Sequence, residues 1–332
     1  MTVLVTGATG LLGSHLVDML LERGERPRAL VRPGDSVAGL PGTVDIAWGD
    51  LADRKALAAA VHGVDTVLNC AARTGPWGPD VEYERTNVRG LESLVDAALG
   101  ARVQRFVHVS SITVHGNDVR GVADETAPLR AEPNPYSRSK VAGERLLEAM
   151  IHTREAPVTI VRPGWIYGPR DAASFGRFAA MIEQGRMVVV GSGNNHVPLI
   201  HVRDAARGVL LAAAAEGAVG RAYLLVNDEP VTQRQFLEAI AARLDVTPPA
   251  RHLPYRLLLA VGAAAESAAK LARSRKPPPV MRYGVQLLGG ENRFVIDRAR
   301  RELGFTPQVG LAEGVTSSVD WYRSRFPRAA AA

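Results

Sequence analysis

Three side chains in the middle of the chain have the types and spacing needed to pass a proton to or from a carbonyl oxygen. Tyr136 and Lys140 stand four residues apart, which on a helix places them on one face. Ser111, with Ser110 before it, ends an apolar β-type run at 106–109. Ketone reduction needs a proton donor at oxygen as hydride arrives at carbon. A tyrosine, with a pKa of about 10, does this poorly near neutrality unless its phenolate is stabilised. A lysine cation beside it lowers that pKa and can also hold a nicotinamide ribose. A serine hydroxyl aimed at the same oxygen stabilises the developing charge. Tyr-x-x-x-Lys alone arises often by chance. Here it opens a helix behind Pro133 and Pro135, after the fifth strand of an alternating pattern, and that context makes it specific.

The elements that must position these groups alternate. Runs at 3–6, 28–31, 46–48, 66–70, 106–109 and 159–162 read as strands, and 11–23, 54–61, 81–99 and 135–151 as helices. Such alternation predicts βαβ units and a parallel sheet covered on both faces. Further on, 197–202 reads as a strand, 203–215 as a helix and 222–226 as a strand, so 197–226 is expected to return to the main sheet. Thr232 and Gln235 form a capping-box pair, 255–272 is an Ala/Leu-rich helix, and Asp297 and Gly304 bracket a short helix as N-cap and C′. The fold class is therefore α/β, a Rossmann-type doubly wound sheet of about seven strands with a smaller C-terminal lobe. Residues 1–162 plus 197–226 are expected to form the dinucleotide domain, and 163–196 plus 227–332 the substrate lobe.

Between the first strand and the first helix stands Thr6-Gly7-Ala8-Thr9-Gly10-Leu11-Leu12-Gly13. Gly7 can make the tight turn, Gly10 admits a pyrophosphate to the backbone, and Gly13 lets the helix pack closely on the strand. The helix N-terminus then offers N–H groups and a positive dipole end to phosphate. After the second strand, Arg32 occupies the place where a cation welcomes a 2′-phosphate and an acid would hold a ribose hydroxyl. NADP(H) is favoured on that ground, with NAD(H) as the alternative because Asp35 follows three residues on. Asp50, beside Leu51 after the third strand, is placed to meet the adenine edge.

Taken with Gly49-Asp50-Leu51, Asn69-Cys70-Ala71-Ala72, the Asn87 helix, Val109-Ser110-Ser111, Val161–Tyr167 with Gly168-Pro169, and Leu199-Ile200-His201-Val202-Arg203-Asp204, the chain resembles the extended short-chain dehydrogenase/reductase family over nearly its whole length. The resemblance implies a seven-stranded parallel sheet and catalytic roles for Ser111, Tyr136 and Lys140. It implies that Cys70, Ala71, Ala72 and Asn87 line the cofactor, as do Arg162, Pro163, Gly164 and Ile166, with Arg162-Pro163 turned toward nicotinamide. It also implies a homodimer built on the helices 81–99 and 135–151. Within the family the chain looks most like the 3β-hydroxysteroid dehydrogenase branch, which includes 2-alkyl-3-oxoalkanoate reductases. Ala72–Gly78, Asn227–Pro230, His252–Tyr255 and the 300–305 helix end carry that likeness. Its substrates are hydrophobic β-keto or β-hydroxy compounds. Two departures matter: His115 stands where many relatives carry Tyr, and no Asp-Glu pair follows Ser111, which argues against a dehydratase. A nucleotide-sugar epimerase with retained NAD is the first rival. A non-catalytic NADP redox sensor is the second, and the intact Tyr-Lys pair argues against it.

Thr74, Trp77, Trp165 and Phe175 lie on loops after strand ends and are substrate-contact candidates, with Ser111 and His115. Composition narrows the remaining classes. The 332 residues are 46% hydrophobic and carry 40 Lys+Arg against 34 Asp+Glu, a charge of +6, with no basic block interleaved with aromatics. Nucleic-acid binding is not expected. One cysteine excludes an internal disulfide, and no Cys/His cluster has metal-ligand spacing. The β-type run at the N-terminus and the lack of a long apolar span point to a cytoplasmic protein. The basic stretch 251–282 admits contact with an anionic membrane surface, but a lobe helix with a solvated linker is favoured.

Overall fold

The computed structural model describes residues 1–119 and 121–327. The last residues of the expected lobe, 328–332, lie outside the described residues. The strands β1 (Thr2–Thr6), β2 (Arg26–Val31), β3 (Asp45–Trp48), β4 (Thr66–Asn69), β5 (Arg105–Val109), β6 (Val158–Pro163) and β7 (Ala222–Leu225) form one sheet in the order β7-β6-β5-β4-β1-β2-β3. Every pairing in it is parallel. Alternation along β1 shows how both faces are covered: Val3 and Val5 enter one apolar cluster, Leu4 the opposite one. Helices α1 (Leu11–Glu22) and α2 (Arg54–Ala60) follow β1 and β3, and Asp53 caps α2 through the amides of Lys55 and Ala56.

The helical run α3, residues 80–100, is interrupted by a π-helical stretch at Glu84–Arg89 that contains Asn87. π turns re-aim the side chains inside them. The long helix α4 (Pro135–Arg154) starts on Asn134, whose side chain accepts from the Ser137 amide, with Pro135 in the first turn.

The segment 197–226 divides instead of returning whole to the main sheet. Leu199–His201 pairs in parallel with Trp165–Tyr167 in a separate two-stranded ladder, and only β7 joins the main sheet. Gly164 makes this branch close: a Cβ there would come 2.2 Å from the Pro198 carbonyl oxygen. Asp297 is also corrected. It is the first residue inside its helix, Ile296 holds the cap position without a side-chain bond, and Gly304 closes the other end in the left-handed region.

A second core gathers around Phe175, Phe236, Tyr167 and Val319. It is built by α5 (Phe175–Glu183), α7 (Gln233–Leu244) and α11 (Leu311–Arg325), while α6 (Val202–Ala214) packs on the main sheet. The capping box of α7 is present with both reciprocal bonds. Asp204 at the start of α6 accepts from the amides of Gln308 and Val309, tying the C-terminal segment to the sheet domain. Helix α8 (Tyr255–Leu271) leaves Leu257, Val261 and Leu271 exposed, and the short α9 (Arg282–Gly289) and α10 (Asp297–Leu303) follow it. No helix among the described residues is long and apolar enough to cross a membrane.

Candidate active site

Helix α4 delivers Tyr136, Lys140 and Glu144 on one stripe because they lie at successive four-residue steps. Lys140 is buried, and its Nζ donates to the carbonyl of Val109 at 2.8 Å, so the helix is tied to the end of β5. That tie brings Tyr136 to Ser111, whose hydroxyl hydrogen-bonds the tyrosine side chain. Ser111 also accepts from the Thr113 amide at 3.2 Å, whereas Ser110 Oγ is buried without a partner among the described residues. The two neighbouring serines are thereby separated, and Ser111 alone faces the phenol. Ser137 donates to the Thr113 carbonyl and Ser139 accepts from Asn87, fixing the start of the helix at two further points on different faces.

The electrostatics differ from the simple expectation that Lys140 depresses the Tyr136 pKa. Burial pushes the Tyr136 phenol up, the Ser111 hydrogen bond pulls it back, and the nearby Tyr83 adds to the rise. The Lys140 ammonium lies 6.0 Å from the centre of the Tyr136 ring and is occupied by Val109. Its own pKa is lowered to about 8 by burial, with Glu144 opposing the fall. Below about pH 8 the folded chain therefore carries a buried cation at a cost. From about 8 up to the ordinary 10.5 the folded chain has released a proton that the unfolded chain still holds, so stability rises with pH. Lys140→Met is accordingly expected to be more stable than the parent at pH 7. Its advantage should shrink as pH rises through that window, as read by Tm at stepped pH; a pH-independent difference would contradict the assignment.

The glycine turn fits a dinucleotide on direct geometric grounds. Gly7 has φ +66°, and a Cβ on it would come within 2.9 Å of the Ala71 amide nitrogen; one on Gly13 would sit 2.1 Å from the Gly7 carbonyl oxygen. Gly10 starts α1 with extended backbone and no side-chain cap, leaving the helix N-terminus open to an anion. Thr9 and Gly10 are exposed on the turn, Leu11 is half-buried, and Leu12 belongs to the core. Beneath it, Thr6 donates to Asn69 and accepts from the Ala71 amide, which holds the β4 end against the turn. Cys70 and Ala72 flank this point, and burial pushes the Cys70 thiol up to about 12, against the pull of Lys140. Asp50 caps its own turn through the Ala52 amide, and Leu51 is core. Arg32 lies exposed at the end of β2, paired with Asp35 at 2.9 Å.

Several expected contacts are placed elsewhere. The Arg162 guanidinium does not turn toward the cleft: it is buried against Glu144, 2.6 Å away, and also donates to the Glu125 carbonyl and His115 Nε2. A guanidinium only donates, so His115 accepts on Nε2 and keeps its proton on Nδ1, facing the Pro128 carbonyl. Burial and Arg162 both lower the His115 pKa, which keeps the ring neutral and structural. Phe175 is core, stacked with Tyr167 and edge-on to Phe236. Trp165 donates to Ser174 Oγ and packs edge-on against Phe178 and Phe236. Ile166 packs against the sheet core, while Pro163 and Gly164 are buried at the end of β6. Asn87 spends its amide on the backbone of Arg73 and on Ser139, so it positions the 70–73 loop. Thr74 is exposed. Trp77 borders a cleft of about 570 Å³ at the start of α4, and its Nε1 donates to the Ser274 carbonyl.

Tyr83, Glu144 and Tyr283 were not legible as site residues. Glu144 could have been found from its spacing to Lys140. Tyr283 could not, because only the packing of α9 brings it within electrostatic reach of Tyr136.

The fold and this constellation define a nicotinamide-dependent enzyme of the doubly wound class. The sequence matches the NAD dependent epimerase/dehydratase family over residues 3–225, and the chain belongs to that family, within its extended short-chain dehydrogenase/reductase branch. It is an NAD(P)-dependent oxidoreductase. It is 32% identical to the 2-alkyl-3-oxoalkanoate reductase of Stenotrophomonas maltophilia (strain K279a), covering 95% of this chain and 97% of that one. It is 31% identical to the 3 beta-hydroxysteroid dehydrogenase/Delta 5-->4-isomerase of Mycobacterium tuberculosis (strain ATCC 25618 / H37Rv), over 98% and 91% of the two chains. The crystal structure of gox2253 superposes with a TM-score of 0.83 at 30% identity, over 98% of each chain.

Proposed function

We propose that the chain is an NADP(H)-preferring oxidoreductase that interconverts a carbonyl and a secondary alcohol on a hydrophobic β-keto or β-hydroxy substrate. The observation that carries this reading is the meeting of Ser111, Tyr136 and Lys140 at the end of β5. A bound nicotinamide supplies a hydride for reduction, or takes one up for oxidation. In reduction, the new C–H bond at the carbonyl carbon is matched by proton transfer from the Tyr136 hydroxyl to the oxygen. Ser111 holds that oxygen by hydrogen bond, and the tyrosine recovers its proton from solvent. Lys140 is placed by Val109 to hold positive charge beside the phenol while proton transfer proceeds. The relatives named as a reductase of oxoalkanoates and a dehydrogenase of hydroxysteroids support the substrate class.

Arg32 supports the preference for NADP(H). Its pairing with Asp35 is exposed, and exposed pairs contribute only about 0–1 kcal/mol, so the guanidinium is free to turn to a 2′-phosphate. NADPH and NADH consumption against 2-alkyl-3-oxo acids, 3-ketosteroids and nucleotide 4-keto sugars tests the proposal. NADPH consumption with the first or second group is the expected result. Arg32→Ala should raise the KM for NADPH by about tenfold, equivalent to about 1.4 kcal/mol, and leave that for NADH unchanged. Equal loss with both cofactors would sink the assignment of Arg32. Turnover of a nucleotide sugar without net cofactor consumption would favour an epimerase.

A further inference from the structure

One buried titratable side chain stands outside the proton transfer. His108, the fourth residue of β5, is 3% exposed and lies on the sheet face of Phe106, away from Val107 and Val109. Parallel register sets it beside Asn69 at the end of β4, and Asn69 beside Thr6 at the end of β1. All three side chains turn to the same face, because Leu4, Val67 and Phe106, two residues earlier in each strand, share one apolar cluster. A row of three polar side chains, each at most 3% exposed, thus crosses the carboxyl ends of three neighbouring strands. Burying polar groups there is costly unless they satisfy one another.

The Thr6 hydroxyl donates to Asn69 Oδ1 at 2.6 Å, which leaves the Asn69 amide nitrogen facing His108 Nδ1 at 3.0 Å. An amide nitrogen only donates, so Nδ1 accepts and the ring proton sits on Nε2. Burial, with Lys140 adding to it, lowers the His108 pKa well below its usual range and keeps that acceptor free of a proton. At the other end of the row, the Thr6 oxygen accepts from the Ala71 amide at 3.1 Å. That amide nitrogen is the atom a Cβ on Gly7 would meet at 2.9 Å, so it walls the glycine turn. The row is directional: Asn69 donates to His108 and accepts from Thr6, and Thr6 is thereby oriented to accept from Ala71. Without the acceptor at His108 the Asn69 amide is free to turn, and Thr6 and Ala71 lose their fixed partner with it.

We propose that His108 is a positioning residue for the dinucleotide, acting through Asn69 and Thr6 to hold the Ala71 amide against the glycine turn. Its effect reaches the turn through the two side chains between, so it is read in cofactor affinity and in the order of the 69–72 segment. Ordering that segment before the cofactor arrives removes a cost that binding would otherwise carry. The role is the same for either nicotinamide cofactor, because both present a pyrophosphate to such a turn.

Calorimetric titration of the full-length protein with NADP⁺ and with NAD⁺, and hydrogen exchange of the cofactor-free protein, test it. His108→Leu keeps bulk and removes the acceptor. The Kd for both cofactors should rise about tenfold, and the 69–72 segment should exchange faster. His108→Asn is smaller but puts an oxygen where Nδ1 stands, and it should regain most of the affinity and protection. Packing alone predicts the reverse order, with Leu the better replacement. Thr6→Val cuts the same row nearer the turn and should match His108→Leu, and the two losses should not add in the double variant. Thermal unfolding reports which variants fold, and Thr6→Val carries the test if His108→Leu does not. Parental affinity in a folded His108→Leu or Thr6→Val protein overturns the proposal. So does weaker binding by His108→Asn than by His108→Leu, or a loss confined to one of the two cofactors.

Discussion

Tyr136→Phe is expected to reduce NADPH-dependent ketone reduction by about 10²–10⁴-fold in kcat while leaving cofactor affinity intact. The variant keeps the aromatic ring that packs at the start of α4 and removes only the hydroxyl that meets Ser111. Hydride addition to a carbonyl without a proton donor must leave an alkoxide in a buried site. Ser111 alone can hydrogen-bond that oxygen but has no neighbouring acid to replenish its proton, since the Lys140 ammonium is tethered to Val109. The measurement is steady-state NADPH consumption with a 2-alkyl-3-oxo acid, accompanied by a cofactor titration. Near-parental kcat in Tyr136→Phe would remove the tyrosine from proton transfer and move the acid role to Ser111 or solvent.

The second large effect lies beneath the site. Glu144→Ala should destabilise the fold by about 3–5 kcal/mol, the usual consequence of removing one member of a fully buried ion pair. Arg162 and Glu144 are 4% and 0% exposed, and the carboxylate meets the guanidinium through both its oxygens. With Glu144 gone, two cations, Arg162 and Lys140, are left in the interior without their anion. The Lys140 pKa, already lowered to about 8, should then fall further because Glu144 is what raises it. Thermal unfolding should show a decrease in Tm on the order of 10 °C. The double variant Glu144→Met/Arg162→Met should recover part of that loss, since both buried charges leave together. A Glu144→Ala protein as stable as the parent would show that Arg162 is neutralised by its other partners, His115 and the Glu125 carbonyl.

Comparison of particular residues shows why some site members could be read from the chain and others could not. Gly7, Gly10 and Gly13 were legible because their demand is local: a left-handed turn, an open helix start and a close helix–strand approach all fall within eight residues. Tyr136 and Lys140 were legible because helical geometry converts a four-residue step into a shared face. Arg162, His115, Trp165 and Phe175 were misplaced for one reason. Arg162 lies near the carboxyl end of its strand, while His115, Trp165 and Phe175 stand at the ends of short elements, where a side chain can turn toward the cleft or into the protein with little change of backbone. Buried Glu144, the Pro128 carbonyl, Ser174 and Phe236 supplied partners that sequence position does not reveal, and unpaired burial would have been costly.

By itself the sequence determined the alternating strand-helix order, the parallel sheet and the glycine turn, and it singled out the serine, tyrosine and lysine proposed for the site. These follow from periodicity, glycine stereochemistry and short-range spacing, all of which act over a few residues. Only the tertiary structure decided that 197–226 splits between two ladders and that Arg162 closes a buried ion pair instead of facing the cleft. Those outcomes depend on strand pairings and on α4 packing against chain segments far away in sequence. Their energies come from burial and from satisfying polar groups in three dimensions, and no local pattern encodes which partner a side chain will meet.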